Sequence, residues 1–234
     1  LAVSDPAGEP TVAHLTERVG FRHDGGMDAL RAGPDSLPAV AATLAAAFDA
    51  DPAWTWVFPD PEHRPDQLRA VWMLLLEGAV DHGWVWTTPD TGAATLWIPP
   101  GEPELAPAQA ARESALWEEL LGPDLWRATI MGGAFERAHP RVPEHYYLSL
   151  FGTRPDRRGQ GLGMSLLADN LARIDAEGAP AYLESTNPVN LDRYRSVGFA
   201  VHGEFELGEA GPVVTTMWRA PHGNGVTARS TTSP

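Results

Sequence analysis

The run Gly152-Thr-Arg-Pro-Asp-Arg-Arg-Gly-Gln-Gly-Leu-Gly163 lies between an apolar segment over 146–151 and a leucine-rich segment over 164–174. That order predicts strand, loop and helix. Glycines at alternate positions let successive backbone N–H groups turn toward one point at a helix N-terminus, where the dipole already favours an anion. The chemistry on offer is the holding of a phosphorylated cofactor. A Walker loop requires a lysine, and the chain contains none. The dinucleotide fingerprint requires G-x-G-x-x-G, whereas Gly159, Gly161 and Gly163 give G-x-G-x-G. The template that fits is R-x-x-G-x-G, carried by Arg158, Gly161 and Gly163.

A second constellation follows in Tyr182-Leu-Glu-Ser-Thr-Asn-Pro-Val-Asn-Leu-Asp-Arg-Tyr-Arg-Ser-Val-Gly-Phe199. A strand over 181–185, a turn at Asn187-Pro188 and a helix stopped by Gly198 are expected. Asn187 and Tyr194 are then two helical turns apart and share a face. Tyr194 is the general-acid candidate, because a phenol stays protonated at neutral pH and can donate a proton. Glu184 interrupts an apolar strand and is the base candidate, because partial burial would raise its pKa. The bland alternatives are core packing for Tyr194 and the fixing of a turn or an arginine for Glu184. Loop and second motif together resemble the GNAT superfamily of acyl-CoA-dependent N-acyltransferases, over roughly residues 28–219.

The resemblance implies an α/β (α+β) fold, a mostly antiparallel mixed sheet of six to seven strands flanked by helices. It implies acetyl-CoA as co-substrate and no metal. The pyrophosphate would sit on Arg158, Gly159, Gln160, Gly161, Leu162 and Gly163. The pantetheine would pair with the strand end at Phe151, Gly152 and Thr153, with Asn187 and Asn190 beside it and Tyr194 near the sulfur. Two departures stand out. Tyr147 occupies a central-strand position where other members carry a glutamate, with Glu144 and His145 as nearby substitutes. The step from Glu184 to Asn187 is about two residues short, which leaves the placement of Asn187 and Asn190 open. The motif order is similar to that of puromycin N-acetyltransferase-like members and implies acetylation of a small-molecule amine, an antibiotic or a metabolite. A peptide or protein N-terminus as acceptor, and a non-catalytic acyl-CoA sensor, are the alternatives.

Other elements must position these groups. A short strand over 29–32 leads to a helix through 37–48, with Asp35 and Ser36 as cap candidates. Trp54, Trp56 and Phe58 alternate in a proline-rich connection over 51–61, where the resemblance puts the acceptor pocket. They would clamp an aromatic or cationic amine by stacking, or form a lid packed on the core. A helix over 67–81, a hairpin of strands over 83–87 and 94–98, and helices over 103–138 broken at Gly122-Pro123 and Gly132-Gly133 come next. Two strands, 200–207 and 213–219, close the sheet. His63, His82, His139, His145 and His202 show no metal-ligand spacing and read as scattered surface residues.

With 234 residues, 43% of them hydrophobic, the chain can bury a substantial core. The expected division is an N-terminal extension over 1–26 with a short helix over 12–19, a domain over 27–220, and a tail over 221–234. No cysteine is present, so disulfides, thiolate metal sites and a thiol nucleophile are excluded, and the chemistry would be direct transfer or use another nucleophile. A net charge of −14 argues against nucleic acid and suits a cationic substrate, although it also serves solubility. No membrane-length apolar run or secretory leader is visible; a cytoplasmic protein, monomer or homodimer, is the expectation.

Overall fold

The computed structural model describes residues 29–221. The expectations for the extension and helix within 1–28, and for the tail from 222 onward, lie outside the described residues. β1 (Leu30–Arg31) precedes α1 (Leu37–Phe48), α2 (Pro52–Val57) and α3 (Arg64–Ala79); β2 (Val85–Thr87) and β3 (Ala93–Ile98) form a hairpin. After α4 (Pro107–Leu121) and α5 (Leu125–Ala138) come β4 (Tyr146–Thr153), α6 (Leu162–Ala176), β5 (Ala181–Ser185), α7 (Leu191–Ser196), β6 (Ala200–Glu206) and β7 (Val213–Arg219). The seven strands make one sheet in the order β1-β2-β3-β4-β5-β7-β6, in which β4 and β5 are the parallel pair. One core fills the face under α1, α2, α3 and α5, with Val40, Leu44, Leu68 and Trp72 at its centre. The other lies under α6, with Leu166, Leu167, Leu171 and Ile174 against Trp97 and Leu183.

Several local expectations are corrected. α5 runs unbroken through Gly132 and Gly133, because a helical glycine costs only about 1 kcal/mol and the flanking apolar residues are buried against neighbours. Ser36 does not cap α1. It sits in a 3₁₀ turn, and its hydroxyl donates backward to the Gly33 carbonyl. The connection after α1 contains α2, whose first turn is capped by Asp51.

The central strand carries the irregularity that shapes the site. β3 pairs Leu96 with Leu150 and Trp97 with Leu148, so Ser149 is an extra residue without a partner, a β-bulge. A bulge reverses the alternation of side chains. Tyr146 and Leu148 pack in the α6 core, whereas beyond the bulge Leu150 packs in the α1 core. The parallel pairing with β5 also ends there: Tyr146, Tyr147 and Leu148 face Ala181, Tyr182 and Leu183, and no pair follows. The bulged strand bends and the two strands part. From Ser149 to Thr153 the β5-facing edge of β4 has no strand partner among the described residues.

Candidate active site

A cavity of about 910 Å³ opens where β4 and β5 separate, bounded also by α3, α4 and α5. At one end, Phe151 connects it to the glycine loop. A Cβ built on Gly163 would stand 3.2 Å from the Phe151 ring and would overlap Thr153 Oγ1, so only glycine lets α6 start this close to β4. Gly159 and Gly161 adopt φ of 78° and 76°, the left-handed region that favours glycine, with open space where side chains would be. The backbone N–H groups of residues 159–164 donate to no acceptor among the described residues, while Ser165 N–H is the first to bond back, to Gly161 O. A row of free donors therefore stands at the N-terminus of a 15-residue helix. The Arg158 side chain is spent on positioning. Its Nη2 donates to Ala47 O at 2.9 Å and its Nε to Thr153 O at 3.3 Å, which ties the loop to the end of α1 and to β4.

Tyr194 lies next along this path. Its ring centroid is 6.3 Å from that of Phe151, and it is buried on α7 while bordering the cavity. Burial, and then the charge of Asp51, hold the phenol well above its ordinary range, so it keeps its proton at neutral pH. Asn187 does not share Tyr194's helical face as the spacing predicted. It precedes a 3₁₀ turn with extended backbone, and its side chain accepts from Val189 N–H, which withdraws it from the cavity wall; Asn190 borders the cavity instead. A 3₁₀ turn before α7 breaks the uniform helical period on which the two-turn spacing relied.

Glu184 is at the point of separation. Its side chain is 1% exposed. Oε1 accepts from the Tyr182 hydroxyl at 3.0 Å and lies 3.6 Å from His139 Nδ1; Oε2 is buried with no hydrogen-bond partner. The Tyr147 phenol, in the position where a glutamate was the family expectation, is held protonated by burial and by the charges of Glu184 and Glu104.

The histidine expectation fails at two positions. His145 is buried and His139 half-buried, their Nε2 atoms 3.3 Å apart. His145 Nδ1 donates to Pro143 O, so its Nε2 is the acceptor from His139. Burial lowers the His145 pKa, in keeping with a neutral ring. The two rings sit on opposite sides of the bend between α5 and β4, a proximity that the test for metal spacing could not reveal. Among the described residues no group of histidines and carboxylates is arranged to hold a metal.

Of the three aromatic residues expected to form the pocket, Trp54 borders the cavity. Phe58 is wholly buried and stacks between Trp54 and Trp117, at centroid distances of 6.2 and 5.9 Å. Trp56 turns away to Trp126 and the Arg127 guanidinium. The alternation assumed an extended chain; in α2, residues four apart share a side and the residue between them points elsewhere.

Two groups went unnoticed in the sequence. Asp51 Oδ1 caps α2 by accepting from Ala53 and Trp54 N–H, and its Oδ2 accepts from Thr186 Oγ1 at 2.7 Å, which joins α2 to the end of β5 beside Tyr194. Asp-Pro at a helix start was the available signal. Glu104, between β3 and α4, accepts from the Ser149 hydroxyl at the bulge. Burial raises its pKa; the Ser149 hydrogen bond opposes this, and the Glu184 charge adds to it. No local pattern marks this residue.

The fold has counterparts among solved structures. The "histone acetyltransferase HPA2 and related acetyltransferase" of Corynebacterium glutamicum matches over 85% of this chain and 98% of its own, at 24% identity and a TM-score of 0.60. This is the GNAT acetyltransferase fold. An agmatine N-acetyltransferase matches over 82% of this chain and 98% of its own, at 15% identity and a TM-score of 0.59. The Drosophila melanogaster polyamine N-acetyltransferase gives the same coverage and TM-score at 16% identity. No protein-family model matches the chain. In this GNAT fold no described helix is long and apolar enough to cross a membrane.

Proposed function

We propose that the chain is an acetyl-CoA-dependent N-acetyltransferase acting directly on the amine of a small molecule, a metabolite or an antibiotic. The observation that carries this reading is the continuity of three features: the free N–H groups of residues 159–164, the unpaired edge of β4 beyond Ser149, and the cavity bordered by Tyr194 and Glu184. The first fits a pyrophosphate and the second offers main-chain partners to an extended amide-bearing arm, as an added strand would take. The residues therefore fit acetyl-CoA, which would supply the acetyl group as a thioester. Arg158 keeps the loop in place. Gly163 and Gly152 keep α6 and α1 close to β4; at Gly152 a Cβ would stand 2.6 Å from Ala47 Cβ.

Glu184 takes the proton that the acceptor ammonium must lose, through the oxygen that has no hydrogen-bond partner among the described residues. Tyr182 donates to its other oxygen, near which His139 Nδ1 lies at 3.6 Å. Tyr194 donates a hydrogen bond to the developing thiolate. The absence of cysteine is in keeping with transfer without an acyl-enzyme. The agmatine and polyamine N-acetyltransferases that share the fold make a small amine the natural class of acceptor.

The test is release of free thiol from acetyl-CoA in the presence of a panel of primary amines. Amine-dependent release is the expected result. Acetyl-CoA binding without release on any small amine would overturn the catalytic reading in favour of a sensor, and release on peptide N-termini alone would overturn the acceptor class.

A further inference from the structure

We propose that the acceptor carries two positive charges, the reacting ammonium at Glu184 and a second ammonium or guanidinium held at Glu104. The inference rests on the N-acetyltransferase reading and names the substrate class of that same site.

The cavity is strongly acidic. Besides Glu184, its border includes the carboxylates of Asp51, Glu102, Glu104, Glu113, Glu136 and Glu144, against the single guanidinium of Arg141. That guanidinium is already paired with Glu136. Asp51 is absorbed by the α2 cap and Thr186, and Glu102 faces His82 at 3.6 Å. Glu184 and Glu104 have no lysine or arginine paired with them among the described residues; the nearest base is His139, whose Nδ1 lies 3.6 Å from Glu184 Oε1 and whose charge, when protonated, would also act on Glu104.

Glu184 has a side chain almost sealed from solvent and one oxygen without any partner. Glu104 accepts from the Ser149 hydroxyl and lies within electrostatic reach of Glu184 on one side and Glu113 on the other. The three carboxylates come from β5, the β3–α4 connection and α4, and all three border the cavity. Ser149, the bulged residue of β4, donates its hydroxyl to the second of them.

Two neighbouring carboxylates enclosed in protein repel one another, and each is costly to desolvate. An acceptor with one charge would relieve Glu184 and leave Glu104 facing it. A second cation relieves both, and the walls of Trp54, Trp117 and Phe135 suit the apolar linker between the charges and the faces of passing cations. A peptide N-terminus without a nearby lysine or arginine supplies only the first charge.

The experiment compares diaminobutane, aminobutylguanidine and n-butylamine, which share a carbon skeleton and differ in the second charge. Initial rates of thiol release from acetyl-CoA are measured with the wild-type chain and with Glu104→Gln, whose amide oxygen still accepts from Ser149. Wild-type kcat/KM should favour the dications over butylamine by about thirtyfold or more, and Glu104→Gln should lower the dication values at least about tenfold while changing butylamine less than about threefold. Equal wild-type values, or an equal loss on all three amines, would overturn the proposal while leaving the N-acetyltransferase reading intact. If no amine is acetylated, that reading fails, and calorimetric binding of diaminobutane and butylamine to the wild-type chain still decides the cation site. Preferential binding of diaminobutane supports it, and equal or absent binding refutes it.

Discussion

Replacing Tyr194 by phenylalanine separates catalysis from folding, because the Tyr194 hydroxyl makes no hydrogen bond among the described residues. The ring remains packed against Phe151 and Phe199, with centroids at 6.3 and 6.1 Å. Stability should therefore change by no more than about 0.5 kcal/mol. The catalytic effect follows from acidity. Burial and Asp51 push this phenol above its ordinary range, whereas an ordinary thiol has a pKa of about 8.5. Complete transfer from the resting phenol to the thiolate is uphill, so the phenol contributes mainly a hydrogen bond to developing negative charge. Such a bond to a charged group is worth about 1.5–3 kcal/mol, or roughly ten- to 150-fold in rate. Thiol-release kinetics should show that loss in kcat, with acetyl-CoA affinity by calorimetry within about twofold of the wild type. The raised pKa also means that free-enzyme Tyr194 contributes no loss of activity between pH 7 and about 10. A Tyr194→Phe variant with kcat within about threefold of the wild type, and with intact acetyl-CoA binding, would refute the acid assignment.

Thr186→Val leaves Asp51 Oδ2 buried without its 2.7 Å partner and should cost about 1–3 kcal/mol in urea unfolding at pH 7. The Thr186 bond lowers the Asp51 pKa against the larger effect of burial, so its loss raises the folded-state value further. The deficit should accordingly shrink as pH falls through that value toward the unfolded range near 3.8, and a deficit independent of pH would argue against an ionised Asp51. His145 is shifted in the opposite sense for its type. Its folded pKa lies below 6.5, so between the two values the unfolded chain binds more protons and the His145 contribution to stability rises with pH. Melting curves should therefore lose stability on acidification below about pH 6.5, and His145→Gln should flatten that slope; an unchanged slope would remove His145 from the account.

Much of the donor side was legible because it is local in sequence. The Gly152–Gly163 run, the strand before it and the helix after it lie within one stretch, and positive φ at Gly159 and Gly161 is what alternate glycines announce. Ala181–Ser185 and the closing hairpin were legible for the same reason, through alternation and turn residues. The acceptor side was not. Glu104 is held by the hydroxyl of Ser149 at the β4 bulge, and no pattern in 146–153 marks that extra residue. His139 and His145 meet across a bend, and Asp51 meets Thr186 across the molecule. Trp56 and Phe58 were misplaced because a short helix was read as an extended chain, and Asn187 because a 3₁₀ turn was read as continuous helix.

The claim that residues 159–164 hold an acyl-CoA pyrophosphate is tested most directly by calorimetric titration of acetyl-CoA into the wild-type chain and into Gly161→Val. At φ of 76° a β-branched residue is strained by roughly 1–2 kcal/mol, yet its side chain meets open space, so the sheet and α6 should survive. The account predicts saturable binding to the wild-type chain, and loss of that binding in a variant whose circular dichroism and cooperative melting persist. No binding to the wild type, or equal affinity in the folded variant, would contradict it.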